Sequence, residues 1–240
     1  VSNWHDWFIL FIDQQNTLPA LVCESNHVSA RSDRCFVILL GITLDNRINF
    51  NEHIYNIRII ANQNTNCLAR IRNNIDVKNS KLLYNAYIKS AFGYAPMIWM
   101  FCQKTSYKKI ESAQKRALRF VYLEHDKSLN EILETYGDKS IHNMHLCSLA
   151  NELFKVTLSL SPSFISSLFV KKETQYSLRK SNLLKLPKVN SSKYGTYSVF
   201  FQGCLFWNSL SDNDKISKTL EIFRKRMKAT DFKCFYQICK

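Results

Sequence analysis

The sequence predicts a mainly α chain, with a small mixed α/β segment at its N-terminal end and a basic C-terminal module carrying short strands and a final helix. Three observations lead there. Apolar residues recur at alternating steps of three and four from Asn51 onward, helix-start signals stand at Ser128 and Ser140, and the texture changes to short extended runs beyond Lys171.

Taken in order, residues 1–35 show short apolar runs broken by turn-formers, and Phe36 to Leu44 reads as one buried strand closing at Asp45-Asn46. Ile54, Ile57, Ala61, Asn64, Leu68 and Ile71 then fall on one stripe of a long amphipathic helix from about Asn51 to Asn73. A second helical pattern runs from Ser80 through Leu82, Leu83, Ala86 and Tyr87, with Gly93 and Pro96 ending or kinking it. A third extends from near Thr105 to Tyr122. Ser128-Leu129-Asn130-Glu131 fits a capping box opening a short helix, and Ser140 caps a further helix reaching about Leu160, before Pro162. In the last module Tyr176 to Arg179, Leu183 to Pro187 and Ser198 to Phe201 read as short strands or extended loops. The final helix, about Ser217 to Met227, buries Leu220, Phe223 and Met227.

Composition narrows the partners. In 240 residues, 33 Lys and Arg stand against 19 Asp and Glu, a net charge of +14 that favours a polyanionic partner. The surplus is not uniform: the basic and acidic counts are 3 and 5 over residues 1–50, 12 and 4 over 51–125, 3 and 5 over 126–170, and 15 and 5 over 171–240. Two basic blocks result. Hydrophobic residues at 46% exclude general disorder. The eight cysteines are irregularly spaced and no secretory leader is read, which predicts a reducing nucleus or cytoplasm and not secretion. Apolar runs such as Trp7 to Ile12 and Met97 to Phe101 are far shorter than the roughly 20 residues of a membrane span, so no membrane partner is expected.

The helix from Thr105 to Tyr122 separates its residues cleanly. At about 100° per residue, Lys108, Lys115 and Arg119 fall on one line with Lys109 and Arg116 beside it, while Ile110, Ala113, Ala117 and Val121 point the other way. Glu111 is the sole acid between Lys108 and Arg119. A solvated helix face is one reading; a surface for backbone phosphates is the other, and the missing acidic partners favour it. Arg70 and Arg72 at the end of the Asn51 to Asn73 helix, and the terminal cluster Arg224, Lys225, Arg226 and Lys228, are assisting candidates. The cluster also fits a nuclear-import patch.

Catalytic signals are weak. No nucleophile elbow, phosphate-binding loop, dinucleotide fingerprint or His-Glu-x-x-His is present, no two aspartates are adjacent, and Asp212 and Asp214 sit in a turn that reads as a helix-capping loop. Cys234 with Cys239, and His142 with His145 and Cys147, match metal-ligand spacing poorly. No catalytic and no metal residue is assigned.

Three stretches carry a family resemblance. They are Leu40-Gly41-Ile42-Thr43-Leu44-Asp45-Asn46-Arg47-Ile48-Asn49-Phe50-Asn51-Glu52-His53-Ile54; Tyr84-Asn85-Ala86-Tyr87-Ile88-Lys89-Ser90-Ala91-Phe92-Gly93-Tyr94-Ala95-Pro96-Met97-Ile98-Trp99 leading into Lys109 to Arg119; and Tyr194-Gly195-Thr196-Tyr197-Ser198 with Leu205-Phe206-Trp207-Asn208-Ser209-Leu210 and the basic final helix. In order and spacing they resemble the region that follows the catalytic palm in jockey-, CR1- or RTE-like non-LTR retrotransposon reverse transcriptases. Residues 1–39 depart from that pattern, since Gln15-Asn16-Thr17-Leu18-Pro19 lacks the lysine of the family's Asn-x-x-Lys element.

The resemblance implies a degenerate palm end over residues 1–48, a helical thumb-like bundle over 49–170 and a basic C-terminal module over 171–240. It also implies a role in holding RNA or an RNA–DNA duplex, the template-primer of an RNA-directed DNA polymerase, beside the fingers and palm of the same polyprotein. The polymerase aspartates, and the magnesium they hold, belong to that palm, so this chain is expected to need no cofactor and to be inactive alone. The alternative is a helical protein-interaction module or a retrotransposon remnant without activity.

Overall fold

A computed structural model describes residues 36–45, 48–172, 182–191, 195–232 and 235. The expectations placed on residues 1–35, on Tyr176 to Arg179 and on Cys234 and Cys239 lie outside the described residues. Among the described residues the architecture is mainly helical, with one two-stranded sheet. It divides into two compact units between Met144 and His145, inside the helix Ile141–Thr157.

The first unit opens on a hairpin, not the single strand expected. Strand β1 (Phe36–Leu39) pairs antiparallel with β2 (Ile42–Asp45), Leu39 opposite Ile42 and Phe36 opposite Asp45. The apolar run is cut because Leu40 and Gly41 both take positive φ, 45° and 81°, as a tight primed turn between twisted strands requires. Glycine meets that demand without strain. Only β2 is buried; Ile38 in β1 is 65% exposed. The Tyr94 hydroxyl donates to the Leu40 carbonyl, and the Thr43 amide donates to His53 Nδ1 at 3.3 Å, fastening the hairpin to the helices.

Helix α1 (Asn51–Ile71) buries His53, Ile54, Ile57, Ala61, Thr65 and Leu68. The inward stripe passes through Thr65 instead of the expected Asn64, and Ile71 is exposed. A 3₁₀ turn, Arg72–Asn74, follows. Helix α2 (Val77–Leu83) starts three residues before the expected Ser80, because the Asp76 carboxylate accepts the Asn79 amide at 3.0 Å. It continues through a π-helical segment, Tyr84–Lys89, into α3 (Ser90–Phe92).

The residues buried along this stretch are Ser80, Tyr84, Ile88 and Phe92, while Leu82 and Tyr87 are 65% and 62% exposed. The expected apolar face is therefore turned outward. Steps of four overshoot an α-helical turn by about 40° each, and the wider π segment takes up part of that drift, so one line of side chains stays inward. After α4 (Pro96–Trp99), helix α5 (Lys104–Tyr122) runs in the same direction as α1. Asn51 meets Ser106 near one end, and Arg72 meets Phe120 and Val121 near the other. Helix α6 (Leu129–Tyr136) opens on the expected capping box, with Ser128 and Glu131 satisfying each other's amides, and closes at Gly137. Ser140 accepts the Asn143 amide at 3.1 Å at the start of α7 (Ile141–Thr157).

The second unit holds the rest of α7, then α8 (Ser163–Leu168), α9 (Val199–Ser209), α10 (Asp212–Lys215) and α11 (Leu220–Ala229). Its core is aromatic. Phe154 stacks on Phe223 at 4.2 Å, and Phe206 meets Phe232 and Phe235 edge-on. Ser198 to Phe201, expected as extended, is the start of α9, with the Ser198 hydroxyl capping the Phe201 amide. Aromatic and β-branched residues favour strands only where a pleated partner exists; here they line a helix against other aromatics. Leu183 to Pro187 forms no strand beyond one bridge, Lys171 with Leu184. The Asn208 carboxamide pairs with both backbone groups of Leu184 at 2.9 Å, supplying the partner a neighbouring strand would give. At Gly195 a Cβ would lie 2.6 Å from Val189 Cβ, so the chain closes there only around glycine.

Candidate nucleic-acid interface

The interface is built on α5. Ser106, Tyr107, Ile110, Ala113, Gln114, Ala117, Leu118, Val121 and Tyr122 are buried, including the four apolar residues singled out in the sequence. On the opposite arc, spanning about 120° of the helix, Lys108, Lys109 and Arg116 are exposed and Lys115 and Arg119 are partly exposed. The helix has no side-chain N-cap and no acid in its first turn. Tertiary packing, not local capping, holds it.

Three contacts fix its orientation. Gln114, fully buried, donates to the Lys139 carbonyl at 3.0 Å and accepts the Ile141 amide at 3.0 Å, so both ends of the carboxamide are used. Tyr122 stacks on Tyr136 at 3.7 Å and gives its hydroxyl to Asp138, which also pairs with Lys81 at 2.9 Å. Burial and that carboxylate raise the Tyr122 hydroxyl well above the usual phenol range, so it remains a donor.

Arg72 makes the third contact, and this corrects its assignment as a nucleic-acid contact. It is only 5% exposed, its Nε donates to the carbonyls of Phe120 (3.1 Å) and Val121 (3.0 Å), and Nη1 donates to Ile75 at 2.7 Å. The guanidinium is a cap for the C-terminal end of α5, where carbonyls lack helical partners and a cation is favoured. Little of its surface is left for a phosphate. Arg70, two residues earlier, is exposed.

The five cations of the α5 arc differ in their surroundings. Neither Lys108 nor Lys109 pairs with a carboxylate among the described residues. Lys115 lies near enough to Glu131 to help hold that carboxyl below its ordinary range, behind the larger effect of Ser128 hydrogen bonds. Arg116 reaches across to α1, donating from Nη2 to Asn66 Oδ1 at 2.7 Å and from Nη1 to Asn62 Oδ1 at 3.4 Å. Arg119 donates to the Lys127 carbonyl from Nη2 at 2.9 Å, which ties down the loop into α6. Lys127 in turn pairs with Glu124 at 2.6 Å.

In the second unit, Arg224, Lys225 and Lys228 are exposed on α11, opposite the buried Phe223 and Met227, while Leu220 is only half-buried. Arg226 is exposed as well and donates to the Asn213 carbonyl at 2.6 Å. Asp212 and Asp214 lie in the first turn of α10 behind the Ser211 cap, and Asp212 pairs with the buried Lys215 at 3.7 Å.

Burial holds both His53 and His142 neutral, lowering each to about 4. The Cys147 thiol points at the Met227 carbonyl. Among the described residues no group of three His, Cys, Asp or Glu side chains is placed to hold a metal, and no helix is long and apolar enough to cross a membrane. Sequence reasoning overlooked Asn62 and Asn66; their i, i+4 spacing was visible, but the arginine between them lies fifty residues away. No protein-family model, no curated protein and no solved structure matches the chain.

Proposed function

We propose that the chain is the thumb and C-terminal portion of a non-LTR retrotransposon reverse transcriptase, and that it binds RNA or RNA–DNA duplex through backbone phosphates without reading sequence. The observation that carries the binding role is the α5 arc. Lys108, Lys109 and Arg116 stand in solvent with Lys115 and Arg119 beside them, on a helix whose other side is locked into the first unit. Arg70 on α1 widens this surface, and Arg224, Lys225, Arg226 and Lys228 on α11 of the second unit assist. The order and spacing of the motifs quoted above support the family. The chain's contribution is grip, with the chemistry left to carboxylates and magnesium of a palm it does not include.

Phosphate binding has a signature that separates it from an acidic-protein surface. The logarithm of affinity falls linearly with the logarithm of salt concentration, by roughly 0.9 per phosphate neutralised on B-form DNA. Titrating a short mixed-sequence RNA–DNA hybrid by fluorescence anisotropy at rising salt is expected to give a slope worth several phosphates, equal for unrelated sequences. Absence of salt-dependent hybrid binding would favour the protein-interaction alternative.

A further inference from the structure

Arg116 is held in a way that the other cations of the arc are not. Asn62 and Asn66 lie one helical turn apart on α1, and their side-chain oxygens accept from the two terminal nitrogens of one guanidinium, at 3.4 and 2.7 Å. An arginine only donates, so it is the oxygen of each carboxamide that faces it. Both partners are neutral. Aspartate in either place would fix the guanidinium just as well but would cancel its charge.

From this geometry we infer that Asn62 and Asn66 are positioning residues for Arg116. They hold its guanidinium extended across the rim between α1 and α5 with its full charge and with three of its five N–H donors still available, enough for a bidentate phosphate contact. Fixing a long side chain before binding removes part of the ordering cost that an exposed arginine otherwise meets on contact. Arg70 continues the Asn62–Asn66 row one further turn along α1 and is exposed, so the row leads from Arg116 to a second cation. The pair thereby carries the cationic surface from α5 onto α1. This inference rests on the duplex-binding reading for its purpose, while the clamp itself is a property of the free protein.

The test uses the full chain and a short RNA–DNA hybrid of mixed sequence. Asn62→Ala with Asn66→Ala is expected to weaken binding about two- to tenfold while leaving the salt slope unchanged, because no charge is lost. Arg116→Ala is expected to weaken binding and to flatten the slope by about one phosphate's worth. Asn66→Asp is expected to flatten the slope as Arg116→Ala does, although it removes no cation. Alanine is the best helix former, so the double variant should keep its melting temperature, which circular dichroism checks.

In the free protein, NMR relaxation of the Arg116 Nε–H group should show a rigid side chain that loosens in the double alanine variant. A guanidinium as mobile in the wild type as in that variant overturns the clamp, whatever happens with nucleic acid. If hybrid binding is salt-dependent but the amide variants match the wild type in affinity, or Asn66→Asp keeps the wild-type slope, the positioning role is wrong and the proposed function stands. If the wild type binds no hybrid while the NMR result holds, the proposed function falls and the clamp survives as a structural feature.

Discussion

Two helices of this molecule are rich in cations and differ in what they do with them. On α5 the basic residues stand at positions 108, 109, 115, 116 and 119, spread over more than two turns but converging on an arc of about 120°. On α11 they are packed into Arg224, Lys225, Arg226 and Lys228, and residues so close in sequence fan out over about 200°. Arg226, exposed like its neighbours, also donates to Asn213 and Ser217. Local density of charge does not make a surface; spacing does. The comparison favours α5 as the principal phosphate contact even though α11 has the denser run.

The largest expected effect tests whether the α5 arc depends on its buried side. Ile110→Asp would place a carboxylate at a fully buried position, and the loss should exceed about 4 kcal/mol, seen as a collapsed melting transition. Retention of a cooperative wild-type melt would contradict the packing described for the first unit.

Next comes a pair of arginines two residues apart. Arg72→Ala should cost about 2–4 kcal/mol, because it strips a charged donor from the buried carbonyls of Ile75, Phe120 and Val121. Arg70→Ala should leave stability within about 0.5 kcal/mol and weaken hybrid binding instead. Equal effects of the two on stability would show that their different burial is wrong.

Acid separates scaffold from charge. The first unit holds His53 and His142 neutral, each lowered to about 4 against an ordinary 6.5. The unfolded chain therefore binds protons that the folded chain refuses as pH falls through that window, so stability should rise with pH between about 4 and 6.5 and level off above it. At the window's lower edge, where folded His53 takes up its proton, Nδ1 must also give up accepting the Thr43 amide. Melting curves should change little from pH 7 to 6.5 and shift steadily downward from 6.5 to 4.5. A flat profile would mean these histidines are not held neutral.

How much of this was legible beforehand follows from how local each signal is. The two faces of α5 and the Ser128–Glu131 capping box depend on spacing within one helix, and both were readable. The hairpin was hidden because Leu40-Gly41 interrupts an otherwise continuous apolar run, and the start of α9 because Val199, Phe200 and Phe201 favour a strand in the absence of a known partner. The outward turn of Leu82 and Tyr87 depends on a π-helical segment that no spacing rule signals. The fates of Arg72 and Arg116 lay furthest out of reach. Their partners stand about fifty residues away, and the same residue type becomes a buried cap in one case and an exposed, amide-held cation in the other.

A smaller effect probes α11. Reversing Arg224 and Lys225 to Glu should reduce hybrid affinity less than an equal reversal on α5, since the four α11 cations fan out over about 200° where five share the α5 arc. An equal or larger loss would transfer the principal role to the second unit.

The central claim is the α5 arc itself, and one double variant tests it directly. Lys115→Glu with Arg119→Glu leaves the buried face untouched; its melting temperature shows whether the Arg119 contact with the Lys127 carbonyl matters to stability, and hybrid binding is then compared at matched folded fraction. The account predicts that affinity for RNA–DNA hybrids falls for every sequence alike and that the salt slope flattens by roughly 0.9 per lost contact on B-form duplex and somewhat less on a hybrid. Unchanged affinity together with an unchanged slope would contradict it and leave α5 as a solvated helix face.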